Sequence, residues 1–215
     1  MSSGRTGVAR LKRPSAQSPP RERILRAARE LFYRGGIHAV SVDAIASAAA
    51  TNKMTLYRHF SSKDELVAAY LSQLAEEGEG LWETARSAHP GDPQAQLRYL
   101  LKQASQFAAK STGRGCALAN AAVELARRKH PARKVVEAHK RRQRERLVAL
   151  VRDAGYARPE QLADELFLLV EGARVSLQSV GRTGPGSRLF ALAEELLASA
   201  PRKKAVRSHS RSPYP

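Results

Sequence analysis

Wherever apolar residues recur in this chain they recur at helical spacing, and that pattern excludes most folds. Residues 21–34 set Ile24, Leu25, Ala28, Leu31 and Phe32 three and four apart, and Gly35-Gly36 stops the run. No segment alternates apolar and polar side chains with the period of a half-buried strand, and no internal repeat is present. The expected class is all-α. Further helices are expected at about 41–48 and 52–58, from Ser62 onward, and over about 93–110, 116–128, 132–153, 159–180 and 187–199. Breakers separate them at Pro90-Gly91, Gly113 to Gly115, Pro131, Gly155 and the Gly181 to Gly186 stretch.

The 215 residues suffice for one large domain or two small ones. The longest apolar runs, such as Leu166 to Val170, are five residues. A membrane-spanning helix needs about 20, so none is expected. The first 20 residues lack the apolar stretch of a secretory signal, and a cytoplasmic protein is expected. One cysteine, Cys116, leaves no partner for an intrachain disulfide and none for a Cys-cluster zinc site. The formal charge of +17 points toward polyanions. Its distribution is uneven, with +10 between residues 101 and 150 and only +4 between 21 and 60. Residues 1–20 and 201–215 are basic, rich in Ser and Pro, and expected to be disordered arms. Such arms are either solvated or follow a phosphate backbone.

Residues 41–60, SVDAIASAAATNKMTLYRHF, read as two short helices joined by a tight turn at about Ala49 to Thr51. Ser41 suits an N-cap with Asp43 behind it, Asn52 suits a second, and Ser62-Lys63-Asp64-Glu65 has the capping-box pattern. Small residues let the pair approach closely, as in a helix-turn-helix whose second helix enters the major groove. Together with Tyr57-Arg58-His59-Phe60 and Ser62 to Leu66, the segment at about 21–74 resembles the tetracycline-repressor (TetR) family of bacterial regulators. That family usually has Gly in the turn where this chain has Ala50, and Val is common where Thr51 stands. If Ala50 is left-handed, it costs about 1 kcal/mol relative to Gly.

Base edges are within reach of Lys53, Met54 and Thr55 in the first turn, with Met54 suited to a thymine methyl. In the family pattern Ser41, Tyr57, His59 and Lys63 look like phosphate contacts, with Thr51 and Asn52 beside them at the turn. Tyr57 and His59 could instead be packing residues, whereas Phe32, Ile45, Leu56 and Phe60 are expected in the core. There is no HExxH, no CxxC and no glycine-rich phosphate loop, so no enzyme, metal or cofactor is expected.

The resemblance implies a head at 21–66 and a helical domain at 67–200 that binds a small-molecule effector and forms a homodimer on double-stranded operator DNA. Candidate dimer residues are Leu162, Leu166, Val170, Ala173 and Leu177, with Leu189, Leu192 and Leu196 on the last helix; the same stripes would also suit an internal core. Effector candidates are Trp82, Phe107, Cys116, Asn120, His139 and Gln143. His139 and Gln143 fall on the apolar stripe of the helix at 132–153, where they either line a pocket or bond to neighbouring helices. Arg133, Lys134, Arg141, Arg142 and Arg144 lie on its other side, either as a solvated face or as an anion or phosphate site. Gly78 and Gly80 mark a soft point in the long helix that links the domains. The expected function is a ligand-released repressor; the alternative is an architectural DNA-binding protein without an effector.

Overall fold

The computed structural model describes residues 18–110, 115–125 and 129–203, the side chains of 108–110 excepted. Expectations for the basic arms before Ser18 and after Lys203 lie outside the described residues. The described residues form nine α-helices and one 3-10 turn, and their only β pairing is a bridge between Tyr156 and Arg202. The class is all-α. No helix among them is long and apolar enough to cross a membrane.

The chain divides into two compact units, Met1–Tyr70 and Leu71–Pro215. The first holds α1 (Pro20–Gly35), α2 (Val42–Ala48), α3 (Lys53–His59) and the start of α4 (Lys63–Ala88). Helix α1 starts at a proline whose missing N–H is no loss there, and stops where Gly36 N–H bonds Phe32 O at 2.9 Å. Its apolar stripe, Ile24, Leu25, Ala28 and Phe32, is buried, as are Ile45, Leu56, Phe60 and Leu66 of the helices that follow. The Phe32 and Tyr70 rings pack 5.6 Å apart. All four residues expected in this core are there.

The second unit holds the rest of α4, then α5 (Pro93–Lys110), α6 (Ala117–Glu124), α7 (Pro131–Asp153), α8 (Pro159–Ser179) and α9 (Leu189–Ser199). Leu97 and Leu101 of α5, Val148 and Val151 of α7, Leu162, Ala163 and Leu166 of α8, and Ala193 and Leu197 of α9 share one core with Tyr156. Two expectations need correction. The helix expected over 116–128 ends at Glu124, because Leu125 leaves the helical region and gives its carbonyl to Arg133 Nη1 at 2.9 Å. The C-terminal arm does not begin at Pro201. Ala157 N–H bonds Pro201 O at 2.8 Å, Lys203 N–H bonds Gly155 O at 2.9 Å, and the Arg202 guanidinium lies 3.9 Å over the Tyr156 ring.

Candidate nucleic-acid interface

The α2–turn–α3 segment is built from bonds between near neighbours. Ser41 Oγ accepts from Ala44 N–H at 3.1 Å, and Asn52 Oδ1 accepts from Thr55 N–H at 2.8 Å, so both expected caps form. Each satisfies a donor that the first helical turn leaves free. Between them, Thr51 N–H bonds Ala46 O at 3.0 Å and Ala50 N–H bonds Ser47 O at 3.0 Å. Those two bonds close a Schellman motif, which requires a left-handed residue at its centre. Ala50 has φ 49°, and it is the only described non-glycine residue with positive φ. The turn therefore keeps the helix-turn-helix path while placing alanine where glycine is relaxed.

Arg23 secures this turn, and nothing nearby in the sequence announces it. From α1 its Nε donates to Ala49 O at 3.0 Å, Nη2 to Ala50 O at 3.4 Å, and Nη1 to Ser18 O at 2.7 Å. The Arg21 guanidinium stands 5.2 Å over the Phe60 ring at the far end of α3. The capping box at α4 is shifted by one residue. Glu65 N–H bonds Ser62 Oγ at 3.1 Å, but the Glu65 carboxylate reaches Ser61, accepting its N–H at 2.7 Å and its Oγ–H at 2.6 Å. Those bonds hold the Glu65 carboxyl below its usual pKa.

Helix α3 has one buried residue, Leu56, and turns the rest outward. Met54 is 70% exposed and Tyr57 43% exposed, far beyond what burial of either apolar body would leave. Asn52, Lys53 and His59 are exposed, and Thr51 and Thr55 are half-buried. The packing reading of Tyr57 and His59 is thereby set aside in this unit. Lys53 Nζ lies 3.3 Å from Asp43 Oδ2, an exposed pair that a phosphate could replace. Lys63 Nζ donates to His38 O at 3.4 Å. Ser41, Asn52, Lys53, Met54, Tyr57 and His59 are thus exposed on two short helices and their N-caps, with Thr55 half-buried among them.

The second-unit candidates are less unified. His139 is 5% exposed and meets α4 at Gly78, where an added Cβ would come 3.2 Å from its Cε1. That close approach is the local reason for glycine at 78; Gly80 meets nothing within 4 Å, and α4 is continuous through both. Trp82 is half-buried, with the Arg146 guanidinium 5.9 Å over its ring. Gln143, Cys116 and Asn120 are half-buried, whereas Phe107 is 56% exposed and is no interior wall of this chain. Of the dimer candidates, Leu162, Leu166, Ala173 and Leu189 are buried in the chain's own core, so they back a surface rather than form one. Val170, Leu177, Leu192 and Leu196 are half-buried. The apolar side chains that α8 does expose are Leu168 and Val175, with Val180 just beyond its end.

The basic side of α7 is not simply solvated. Arg144 forks onto Asp164 at 2.5 and 2.8 Å, Lys140 Nζ meets Glu171 at 2.8 Å, and Arg152 meets Glu160 at 2.8 Å. Arg142 and Arg146 both face Glu79 of α4. Four of the basic residues between 101 and 150, Lys140, Arg142, Arg144 and Arg146, therefore join α7 to acidic residues of α4 and α8. Lys134 and Arg141 are exposed. Among the described residues, no three His, Cys, Asp or Glu side chains gather as a metal site.

A helix-turn-helix head followed by a separate helical unit defines a class of DNA-binding regulator, and comparison with known proteins agrees. The profile described as bacterial regulatory proteins, tetR family, matches residues 24–70, and that described as tetracyclin repressor-like, C-terminal domain, matches residues 93–193. Together they cover more than half of the chain, which belongs to the tetR family of bacterial regulatory proteins. The family is one of transcriptional regulators, not enzymes. The chain is 47% identical over 55 residues to the transcriptional regulator UidR of Escherichia coli K12, covering 26% of this chain and 28% of that protein. It is 35% identical over 83 residues to the regulator TtgR of Pseudomonas putida, covering 39% and 40%. A 53-residue match at 47% identity to the transcriptional activator FasR of Mycolicibacterium smegmatis covers 25% and 24%. These matches span well under half of each relative's length. The structure of SCO4454, a TetR-family transcriptional regulator from Streptomyces coelicolor, superposes with a TM-score of 0.74 at 29% identity, over 83% of this chain and 94% of that one.

Proposed function

We propose that this regulator binds a palindromic DNA operator as a homodimer, acts in the cytoplasm as a repressor, and is released by a small-molecule effector held in its second unit. The observation that carries the DNA reading is the uncovered outer face of α3, where Met54 and Tyr57 stand exposed around a single buried anchor, Leu56. Lys53, Met54 and Thr55 meet base edges, while Ser41, Tyr57, His59 and Lys63 meet phosphates, with Thr51 and Asn52 at the turn. The dimer forms through the outer face of α8 and α9. Leu168, Gly172 and Val175 lie along the outward side of α8, and Leu192 and Leu196 stand half-buried on α9. Effector occupancy acts on α4, which begins in the head and continues into the second unit.

Fluorescence anisotropy with fragments flanking the chain's own gene and with random duplex of equal length tests this. Tight binding to one flanking sequence, against at least a hundredfold weaker binding to random DNA, is expected for specific recognition. Equal affinity for every duplex would instead establish the architectural alternative. Sedimentation of a Leu168→Glu, Val175→Glu double variant should show monomer if α8 is the interface.

A further inference from the structure

Among the described residues of the second unit, two buried side-chain polar atoms have no hydrogen-bond partner, Nδ1 of His139 and Nε of Arg174. Buried donors and acceptors are otherwise almost always paired, since an orphan keeps its desolvation cost with no return. Arg174 belongs to an ion cluster, and His139 precedes its Lys140 along α7 and lies within the electrostatic reach of Lys140 and Arg174. Glu171 of α8 accepts Lys140 Nζ at 2.8 Å on one carboxylate oxygen and Arg174 Nη1 at 2.6 Å on the other. That carboxylate fixes α7 to α8 at the level where His139 precedes Lys140 and Arg174 lies one turn beyond Glu171. The third wall is α4 at Gly78, whose missing Cβ makes room for the imidazole.

The charge of this cluster is lopsided. Lys140, Arg142, Arg146 and Arg174 face two carboxylates, Glu79 and Glu171. Both oxygens of Glu171 are already engaged, and Glu79 is shared by two arginines. The guanidinium Nε–H can only donate, and a neutral imidazole donates from Nδ1 in one of its tautomers. Two donors in an uncompensated cationic setting call for an anionic acceptor with two oxygens. Aromatic surface stands close by, with the Phe167 ring 5.7 Å from Lys140 Nζ and Trp82 one turn along α4 from Gly78.

We infer that His139 and Arg174 are the head-group site for an organic monocarboxylate with an apolar body, which makes an acid of this type the effector class. This rests on the reading of the second unit as an effector domain. The bound carboxylate takes Arg174 Nε–H and His139 Nδ1–H, while Glu171 continues to hold Lys140 and the outer guanidinium nitrogen.

The experiment uses the full chain, with benzoate, phenylacetate and hexanoate each paired with its primary amide, and reads binding by calorimetry and DNA release by anisotropy. At least one acid should bind while its amide does not. Arg174→Lys keeps the charge and the partner Glu171 but removes Nε, and should weaken acid binding about tenfold or more, as expected for loss of a charge-assisted hydrogen bond. His139→Leu should do the same, and Gly78→Ala should weaken binding by crowding the ring. If acids and amides bind alike, or if Arg174→Lys and His139→Leu bind the acid as the parent does, the site is wrong. Acid binding through these residues that leaves DNA affinity unchanged supports the site and overturns the effector role. DNA release by neutral or cationic compounds alone overturns the carboxylate class and leaves the effector role standing.

Discussion

The two units place their polar side chains in opposite ways. In the head, the groups offered to DNA are exposed, and the bonds that position them join residues three apart, Ser41 to Ala44 and Asn52 to Thr55. In the second unit, polar groups lie between helices and are held across long stretches of chain, as in Lys140–Glu171 and Arg144–Asp164. An exposed group is solvated before and after its partner is lost, so its removal changes binding and little else. A buried one loses its compensation and leaves its partner charged in a poor solvent. The head should therefore tolerate surgery in stability and fail in function, and the second unit should lose stability wherever a buried group is cut.

Glu171→Ala is expected to have the largest effect on stability. It strands Lys140 and Arg174, whose side chains are 19% and 18% exposed. Removing one member of such a network costs about 3 kcal/mol. Asp164→Ala breaks a pair whose side chains are both 46% exposed, and should leave the melting temperature nearly unchanged. Urea unfolding of the two variants sets them side by side. Equal losses would show that burial is not what separates these two pairs.

Next in size is the head. Lys53→Ala and Tyr57→Ala should each weaken operator binding by about 1–3 kcal/mol, the first by loss of a base contact and the second by loss of a phosphate contact. Thermal unfolding should not move with them, because both side chains lie outside the core. A fall in stability equal to the fall in affinity would count Tyr57 as a packing residue after all.

Most of the head was legible because its determinants are local. A cap, a capping box and a turn each declare themselves within four or five residues. At Glu65 the capping box departs from its pattern in one half only, where the carboxylate accepts from Ser61 rather than Ser62. Arg23 escaped notice because the carbonyls it holds, Ala49 and Ala50, become its neighbours only once α1 and α2 pack. In the second unit the helices were legible and their partners were not. An apolar stripe looks the same whether it faces the chain's own core or a second copy, so the sequence leaves both open for Leu162, Leu166, Ala173 and Leu189, and burial places all four in the core. His139 stood out on its stripe, but nothing in the sequence pairs it with Gly78.

Smaller again is a proton effect confined to the second unit. Burial, followed by the nearby Lys140 charge, holds the His139 imidazole below its ordinary pKa of 6.5; Arg142 and Arg174 push the same way and Glu79 opposes them. In the unfolded chain the ring binds a proton near its ordinary value, so the folded state binds fewer protons below it. Stability should thus be full above pH 6.5 and decline as the pH falls toward the folded-state value, by up to about 1.4 kcal/mol per pH unit. The lowered carboxyls of Glu65, Glu160 and Asp164 act only near and below their ordinary values of 4.5 and 3.8. Unfolding curves between pH 7 and about pH 5 should flatten in His139→Leu. If the slope is unchanged, His139 is not the titrating group.

The finest comparison sets two Schellman motifs against each other. After α7, Gly155 N–H bonds Arg152 O at 3.1 Å and Tyr156 N–H bonds Val151 O at 3.3 Å, with Gly155 at φ 84°. After α2 the same pair of bonds surrounds Ala50 at φ 49°. An added Cβ at Gly155 would come no closer than 4.0 Å to Arg202 Nη1, so backbone conformation alone separates glycine from alanine there. Gly155→Ala should therefore cost about 1 kcal/mol, and Ala50→Gly should return a similar amount. At Ala50 the Arg23 guanidinium adds a clamp on the carbonyls of residues 49 and 50. If that clamp holds the strained turn, Arg23→Met should destabilise the parent more than it destabilises Ala50→Gly, because a relaxed glycine keeps the path unaided. A double-mutant cycle reads the difference directly. Strict additivity would mean that Arg23 anchors α1 to α2 without bearing on the conformation of Ala50.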